Sequence, residues 1–321
     1  MLARHAENLF WAGRYIERAE DTARILDVTY HGLLEAAPTE AARAWADVLS
    51  VLRLSSDFEP LNHAPDAVSV SEFLVADDGN PGSIISGVSR ARENLRSVRE
   101  LITTEVWESV NRFYLDLRLR NLRAELETEP YQLYSFVKRR CQLLAGVCTE
   151  TMPRDDGWRF LQVGWVLERA EMTCRLLDVR YGTEQVNGFH HWLGTLKSAS
   201  GSEAYRRAYR GSMDQRDVLE FLLLSRDFPR SVLFCLRRAE RDLAALSGGD
   251  GVQLSRPERL LGRLRADLEY RDIGEVLSDG VPVFLGRLQR GVRQAAEAVA
   301  LEYFRNSQEL DLHALASVPA G

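Results

Sequence analysis

Two stretches of this sequence carry the same pattern of charged and apolar residues. The first is NLFWAGRYIERAEDTARILDVTY, residues 8–30, and the second is FLQVGWVLERAEMTCRLLDVRY, residues 160–181. They share E-R-A-E-x-T-x-R-x-L-D-V-x-Y, with ten of fourteen positions identical at a separation of 151. Because chance would give about one identity in such a window, the match indicates an internal duplication.

The spacing of apolar residues in the first stretch predicts a long helix. Leu9, Ile16, Ala23 and Tyr30 belong to a series that advances by three or four positions at each step. Such a series lies along one seam of an α-helix. No run of alternating apolar and polar residues is long enough to suggest a sheet, so the sequence predicts an all-α protein. Further helices are predicted at 38–55, 68–76, 82–101, 103–127, 131–151, 156–182, 188–199, 203–211, 215–226, 230–246, 257–271 and 281–306.

A second internal match supports a tandem duplication. Residues 72–95 align with residues 220–243 at an offset of 148, and Trp45 has a counterpart in Trp192. We therefore predict a tandem-duplicated helical bundle whose halves are related by a pseudo-twofold axis. Its predicted segments are a first helical repeat at 1–152, a second helical repeat at 153–308 and a frayed tail at 309–321.

Glycine and proline mark the turns between the predicted helices. Turn signals occur at residues 78–82, 153–157, 248–251 and 279–280. Pro81 and its counterpart Pro229 fit the first turn of a helix, and Asn80 is a candidate cap for the first of these helices.

Composition and charge limit the classes of function. The chain has 321 residues, of which 45% are apolar and 27% are charged, the mixture of a soluble globular protein. Its net charge of −6 argues against nucleic acid as the main partner. No apolar run approaches the roughly 20 residues of a membrane span, and no apolar signal-peptide core precedes the first helix. We therefore expect a cytoplasmic protein without a membrane partner.

The cysteines and the missing motifs argue against several kinds of chemistry. Cys141, Cys148, Cys174 and Cys235 do not have the spacing of a zinc site, and each is predicted to be a small buried residue on a helix. The sequence has no Walker loop, no dinucleotide-binding glycine motif, no nucleophile elbow and no zinc-protease motif. We expect no cofactor.

The same helix carries a resemblance to a known family. The segment AENLFWAGRYIERAEDTARIL, residues 6–26, resembles the opening of the bacterial alpha-E proteins, an all-helical family named for its Glu-Arg motif. The segment FLLLSRDFPRSVLFCL, residues 221–236, also resembles that family. Members are typically encoded beside circularly permuted ATP-grasp ligases, often with transglutaminase-like peptidases and Ntn-type hydrolases. The resemblance implies an accessory component of a peptide or amide synthesis or modification system, with the ligase and its peptide or amino-acid substrate as partners.

The wheel of the first helix predicts an enclosed position. Glu20 and Asp27 flank the apolar seam, whereas Arg18 lies nearly opposite to it. The outer residue recurs as Arg169 in the second copy, although an ordinary surface helix lets its outer face vary. We therefore expect a central helix enclosed on more than one side, whose buried polar groups are paired.

One interpretation of the shared charges is structural. Glu20 and Arg24 stand four positions apart in the favourable order, and so do Glu171 and Arg175. Asp27 lies three positions beyond Arg24 and is also within helical reach of it. In this interpretation the residues are ion pairs that fix how the halves pack, and Arg24 and Arg175 are structural.

A second interpretation is a site for a ligand or a partner. Arginine binds carboxylate and phosphate groups through forked hydrogen bonds, and a partner from an amide-forming system offers both groups. We expect the outward Arg18 and Arg169 to serve this function. The candidate binding residues are Arg14, Glu17, Arg18, Glu20, Arg24, Glu168, Arg169, Glu171 and Arg175.

Catalysis and metal binding are the remaining alternatives. Glu17 or Glu168 could transfer a proton in an enzyme that acts on the same substrate, but no histidine or nucleophile lies nearby in sequence. Helical bundles that hold two metals usually carry Glu-x-x-His motifs, whereas this chain has Glu-x-x-Glu twice with arginines between the acids. We therefore expect no metal. A purely structural oligomerisation module is the third class of function.

Overall fold

The computed structural model describes residues 1–34, 37–182, 188–211, 213–247 and 254–304. Every regular element in these ranges is helical, which confirms the predicted all-α class. The predicted tail at 309–321 and the predicted turn at 248–251 lie outside the described residues. Within the described ranges, no helix combines the length and the apolarity that crossing a bilayer requires.

The chain forms two compact units. The first unit runs from Met1 to Leu161, and the second runs from Gln162 to the last described residue, Phe304. The helices that begin in the first unit are α1 (Ala3–Gly32), α2 (Pro38–Leu52), α3 (Ser55–Phe58), α4 (Ala67–Val75), α5 (Ile84–Arg96), α6 (Thr104–Leu119), α7 (Leu122–Thr128), α8 (Pro130–Thr151) and α9 (Asp156–Tyr181), which continues into the second. The other helices of the second unit are α10 (Phe189–Ser198), α11 (Ser202–Ala208), α12 (Gln215–Leu224), α13 (Val232–Leu246), α14 (Arg256–Glu269), α15 (Ile273–Ser278) and α16 (Val281–Tyr303).

The first unit is built around α1. This helix packs most extensively against α5 and α8, and it also contacts α2 and α4. Helix α6 packs against both α5 and α8, so these four long helices form the core of the unit. In the second unit, α14 packs against α13 and α16, while α12 contacts α13, α14 and α15.

Two helix N-termini are capped in the same way. Ser83 precedes α5, accepts a hydrogen bond from Ser86 N and donates its hydroxyl to Asp77 O at 2.7 Å. Ser231 precedes α13, accepts from Phe234 N and donates to the carbonyl oxygen of Ser225 at 2.5 Å. Both serine side chains are nearly fully buried, so each satisfies an otherwise orphaned N–H inside the fold.

These serines correct the expectation for Pro81, Pro229 and Asn80. Each proline stands two residues before the capping serine, in the turn that leads to the helix and not in its first turn. Asn80 is buried in this turn, where its side-chain amide donates to Phe73 O at 2.9 Å and its Oδ1 accepts from Gly82 N at 2.8 Å. The asparagine therefore holds the turn, while the serine caps the helix.

The single helix predicted at 103–127 is in fact two helices, α6 and α7. Arg120 adopts an extended conformation that ends α6, and the side chain of Asn121 accepts a hydrogen bond from Ala124 N at the start of α7. Asparagine competes for backbone hydrogen bonds and so favours such a start. The short helices α3 and α15 were not predicted, because each has fewer than two turns of periodic sequence.

The caps generate a stability prediction. Replacement Ser83→Ala removes both hydroxyl contacts from a buried position, and we expect a loss of about 1–2 kcal/mol in the free energy of unfolding. Ser97→Ala is the matched control, since that serine is exposed and donates to Glu93 O in the preceding turn, and its effect should stay below about 0.5 kcal/mol. Urea titration followed by circular dichroism measures both. Equal midpoints for the two variants would contradict the capping role.

Candidate functional site

Helix α1 is buried around its whole circumference. All nine residues from Leu9 to Glu17 are buried, and so are all eight from Ala19 to Leu26. Nine residues complete more than two turns, so a run of this length covers every face of a helix. The expectation of a central, enclosed helix is therefore confirmed for α1. Its charged side chains must find partners inside the protein.

The first ion pair of the motif lies inside the first unit. Glu20 is 3% exposed and pairs with Arg24, which is 8% exposed, one helical turn away. The Glu20 carboxylate also accepts from the side chain of Gln142 on α8 at 3.4 Å. The Nε of Arg24 is buried and has no hydrogen-bond partner among the described residues. The pair is thus enclosed and largely desolvated.

Asp27 uses partners other than Arg24. Its Oδ2 accepts from Lys138 Nζ on α8 at 2.5 Å, and its Oδ1 lies 3.4 Å from His31 Nδ1. Arg24 makes its ion pair with Glu20, and among the described residues it makes no ion pair with Asp27, although the helical spacing allowed one. Glu20 and Asp27 therefore both face α8, which supplies a donor to each carboxylate.

The remaining motif residues of α1 differ in their environments. Arg14 is 1% exposed, and its guanidinium carbon lies 5.9 Å from the ring centroid of Phe10 and 5.5 Å from that of Trp11. Contacts of this kind stabilise a cation at low exposure. Glu17 is fully buried, whereas Arg18 is half-buried. The Glu-Arg dipeptide therefore combines an inner acid with an arginine that reaches solvent.

Helix α9 carries the second copy of the motif in a similar state. Glu171 is 1% exposed and pairs with Arg175 one turn later, and Glu168 is equally buried. The Nε of Arg175 is buried without a hydrogen-bond partner in the described ranges, as is that of Arg24. Arg169 is half-buried. Each copy therefore buries its two glutamates and leaves the arginine of the Glu-Arg dipeptide partly exposed.

The turn before α13 packs against the motif of α9. Arg169 donates to Pro229 O at a limiting 3.5 Å, and Thr173 Oγ1 donates to Arg230 O at 3.0 Å. These contacts satisfy carbonyl groups of a turn that precedes a helix. These contacts could not be predicted from the sequence, because every residue type has a backbone carbonyl that can accept a hydrogen bond. The one sequence feature that pointed to them is the threonine shared by both copies of the pattern, Thr22 and Thr173.

Asp178 occupies the position in α9 that Asp27 occupies in α1. Its Oδ2 accepts from Gln289 Nε2 on α16 at 3.2 Å. Gln289 follows Lys138 by 151 residues, which is also the separation of Asp178 from Asp27. The donor to the aspartate thus comes from α8 in the first unit and from α16 in the second. Sequence comparison did not identify this relation, because lysine and glutamine differ in type.

Burial keeps the cysteines near the motif in their thiol form. All four cysteines are buried and free, as predicted. Burial raises the pKa of Cys141 well above its usual range, and the negative charges of Glu20 and Glu17 act in the same direction. Burial likewise raises the pKa of Cys174 on α9, with a further contribution from Glu171. Since the thiolate is the nucleophilic form, neither cysteine is an activated nucleophile.

The described side chains define what the motif can do. Among the described residues, no group of three or more His, Cys, Asp or Glu side chains is placed to hold a metal ion. The buried glutamates Glu20 and Glu171 form ion pairs with Arg24 and Arg175. Arg18 and Arg169 are half-buried, and a guanidinium group can bind a carboxylate or phosphate through two parallel hydrogen bonds. The arrangement is therefore suited to holding helices together and to binding an anionic group at its edge.

These features define a class of all-helical protein built on a buried Glu-Arg helix. The Alpha-E family model, described as a predicted alpha-helical domain with a conserved ER motif, matches residues 1–304. The chain belongs to the Alpha-E family, which confirms the resemblance found in the first helix.

Curated relatives carry the same region within longer chains. The protein is 26% identical over 324 residues to the uncharacterized protein Mb2597 of Mycobacterium bovis, a match that covers 91% of this chain and 35% of the relative. The uncharacterized protein MT2643 of Mycobacterium tuberculosis shows the same identity and coverage. The chain thus spans 35% of the length of these relatives. No solved structure matches the chain.

The buried pair predicts a large effect of a one-sided change. Arg24→Met removes the cation that pairs with the buried Glu20 carboxylate, so we expect the free energy of unfolding to fall by about 3–5 kcal/mol. The double replacement Glu20→Gln/Arg24→Met should recover part of this loss. Arg96→Met is the control, because Arg96 and its partner Glu93 are exposed, and it should cost less than about 1 kcal/mol. Thermal and urea unfolding of the variants measure the difference; equal effects of Arg24→Met and Arg96→Met would refute it.

The thiols give a prediction that does not require a mutation. Burial raises the pKa of Cys148 to about 12, and it raises the pKa values of Cys141 and Cys174 as well. At pH 8 these thiols should therefore stay protonated and inaccessible. We expect the native protein to react with Ellman's reagent at least about 100-fold more slowly than after denaturation in guanidinium chloride. A thiol that reacts rapidly in the native protein would contradict the burial of these residues.

Proposed function

We propose that this Alpha-E protein is a non-catalytic helical component of an ATP-grasp-linked system of peptide or amide synthesis or modification. In this proposal the protein binds the ligase, the ligase's peptide or amino-acid substrate, or both. The observation that carries it is the separation of charges in the motif. Each Glu-Arg dipeptide has a buried glutamate, Glu17 or Glu168, followed by a half-buried arginine, Arg18 or Arg169.

The separation assigns two tasks to the motif. The buried pairs Glu20–Arg24 and Glu171–Arg175 hold the charged helices in place. Arg14 lies against aromatic rings in the core and belongs to the same structural group. Arg18 and Arg169 reach the surface and present guanidinium groups to a carboxylate or phosphate of the partner.

The state of the nearby thiols and acids supports a binding role over a catalytic one. A nucleophilic cysteine needs a lowered pKa, whereas burial raises the pKa of Cys141 beside the motif. A general acid or base must reach the proton that it transfers, and Glu17 and Glu168 are almost entirely buried. Binding through the half-buried arginines needs neither feature.

We also propose that the chain is a tandem duplication of one helical repeat, with pseudo-twofold related halves at 1–152 and 153–308. Three local features support it. The buried Glu-Arg pair recurs in α1 and α9, and the buried serine cap recurs before α5 and α13. The aspartate one turn after the pair receives its donor from α8 in the first unit and from α16 in the second.

The binding role predicts a defined effect for the partly exposed arginines. The test uses an ATP-grasp-type ligase from the same organism and measures its association with this protein by isothermal titration calorimetry. The double variant Arg18→Met/Arg169→Met should keep its stability within about 1 kcal/mol per substitution. It should nevertheless bind the ligase at least about tenfold more weakly, because charge-assisted hydrogen bonds contribute about 1.5–3 kcal/mol each.

Controls separate this result from a general loss of charge. Arg206→Met/Arg207→Met removes two exposed arginines of α11 and should leave the affinity for the ligase unchanged. Destabilised Arg18→Met/Arg169→Met protein with unchanged ligase affinity would refute the binding role. Product formation by the isolated protein on the peptide substrate would favour the enzyme alternative.

A further inference from the structure

A groove on the second unit concentrates positive charge away from the Glu-Arg motif. It is formed by α13, α14 and the segment after α12, and its volume is about 710 Å³. The five arginines that line it are Arg226, Arg237, Arg238, Arg241 and Arg265, and two glutamates line it as well. The groove therefore has an excess of three positive charges in a chain whose net charge is −6.

The two glutamates show how the groove holds carboxylates. Arg265 donates to both oxygens of Glu240, at 2.8 and 3.3 Å, and to Glu269 at 2.9 Å. The hydrogen bond from Arg265 lowers the pKa of Glu269, and the charges of Arg237 and Arg226 lower it further. A carboxylate that enters this groove thus meets an environment that keeps it ionised.

Two arginines of α13 are exposed in this groove and only partly engaged by the protein itself. Arg237 is exposed and makes no ion pair with any described residue. The side chain of Arg241 is 66% exposed and makes one ion pair, in which its Nη2 lies 3.4 Å from Oδ1 of Asp242, its sequence neighbour. They stand four positions apart on one face of the helix, a separation of about 6 Å between their Cβ atoms. Phe234, half-buried, lies one turn before Arg237 in the same groove.

We propose that this groove binds an extended acidic peptide segment. Alternate residues of an extended chain lie about 6.6–6.8 Å apart on one face, which matches the separation of Arg237 and Arg241. Two carboxylates two residues apart can therefore each meet one guanidinium, while an apolar side chain of the same peptide contacts Phe234. Arg265 already holds two carboxylates in this groove, those of Glu240 and Glu269, which favours a carboxylate ligand over a phosphate. The proposal uses no residue of the Glu-Arg motif and stands apart from the proposed function.

Fluorescence anisotropy with a defined peptide tests the groove. The probe is a fluorescein-labelled heptapeptide in which phenylalanine is followed by alternating serine and glutamate; its glutamine counterpart is the uncharged reference. The full chain should bind the glutamate peptide, and rising salt should weaken the binding. Arg237→Gln/Arg241→Gln should reduce the affinity at least about tenfold. The matched control Arg206→Gln/Arg207→Gln removes the same charge from α11, outside the groove, and should change it less than about twofold.

Charge reversal keeps the test decisive if the first variant binds weakly for another reason. Arg237→Glu/Arg241→Glu should lose the glutamate peptide and gain affinity for a peptide with lysines in place of the glutamates. Equal weakening by the groove and control variants would overturn the proposal, as would equal binding of the glutamine peptide. Binding of tripolyphosphate without binding of the glutamate peptide would also overturn it and would identify the groove as a phosphate site.

Discussion

The burial of a glutamate and an arginine on one turn of α1 constrains the rest of the first unit. Removing two charges from water costs several kcal/mol per ion, and only close pairing with further hydrogen bonds compensates for it. Glu20 and Arg24 meet because four residues of helix separate them, so the pair exists only while α1 is helical. The surrounding helices must therefore exclude water without leaving either charge unpartnered, which makes α1 the centre of the unit.

The polar contacts of α1 also determine how α8 lies against it. Gln142 donates to Glu20, while Lys138, one turn earlier on α8, donates to Asp27, two turns later on α1. The order of contacts is reversed between the two helices, so they run antiparallel. Apolar packing alone tolerates a shift along the axis, but a shift by one turn would remove both donors from their carboxylates. The buried charges thus specify the register, a use of buried polar groups that coiled coils also show.

Sequence reasoning identified most of the fold because its signals are local. The period of the apolar residues located the long helices, and the i,i+4 spacing identified the pair of Glu20 and Arg24 before any coordinates. Contacts between helices could not be predicted in this way: helical spacing put Asp27 within reach of Arg24, but Lys138 on α8 is the cation that pairs with it. The break between α6 and α7 depends on the side chain of Asn121, which accepts a hydrogen bond from Ala124 N. The apolar periodicity continues through this position, so the sequence predicted one uninterrupted helix. The helical wheel placed Arg18 away from the apolar seam, and the structure adds that this arginine is half-buried while Arg24 is buried.

The difference between local and distant partners explains where the two halves resemble each other. Both members of each buried Glu-Arg pair come from one helix, so their identities and their spacing are fixed together. The aspartate that follows needs only a donor of sufficient reach from another helix, and both Lys138 and Gln289 meet that need. Under the proposed duplication, the last helix of each repeat could therefore change its residues while keeping its contact. The charged first helix had no such freedom, because a change in either member would strand a buried charge.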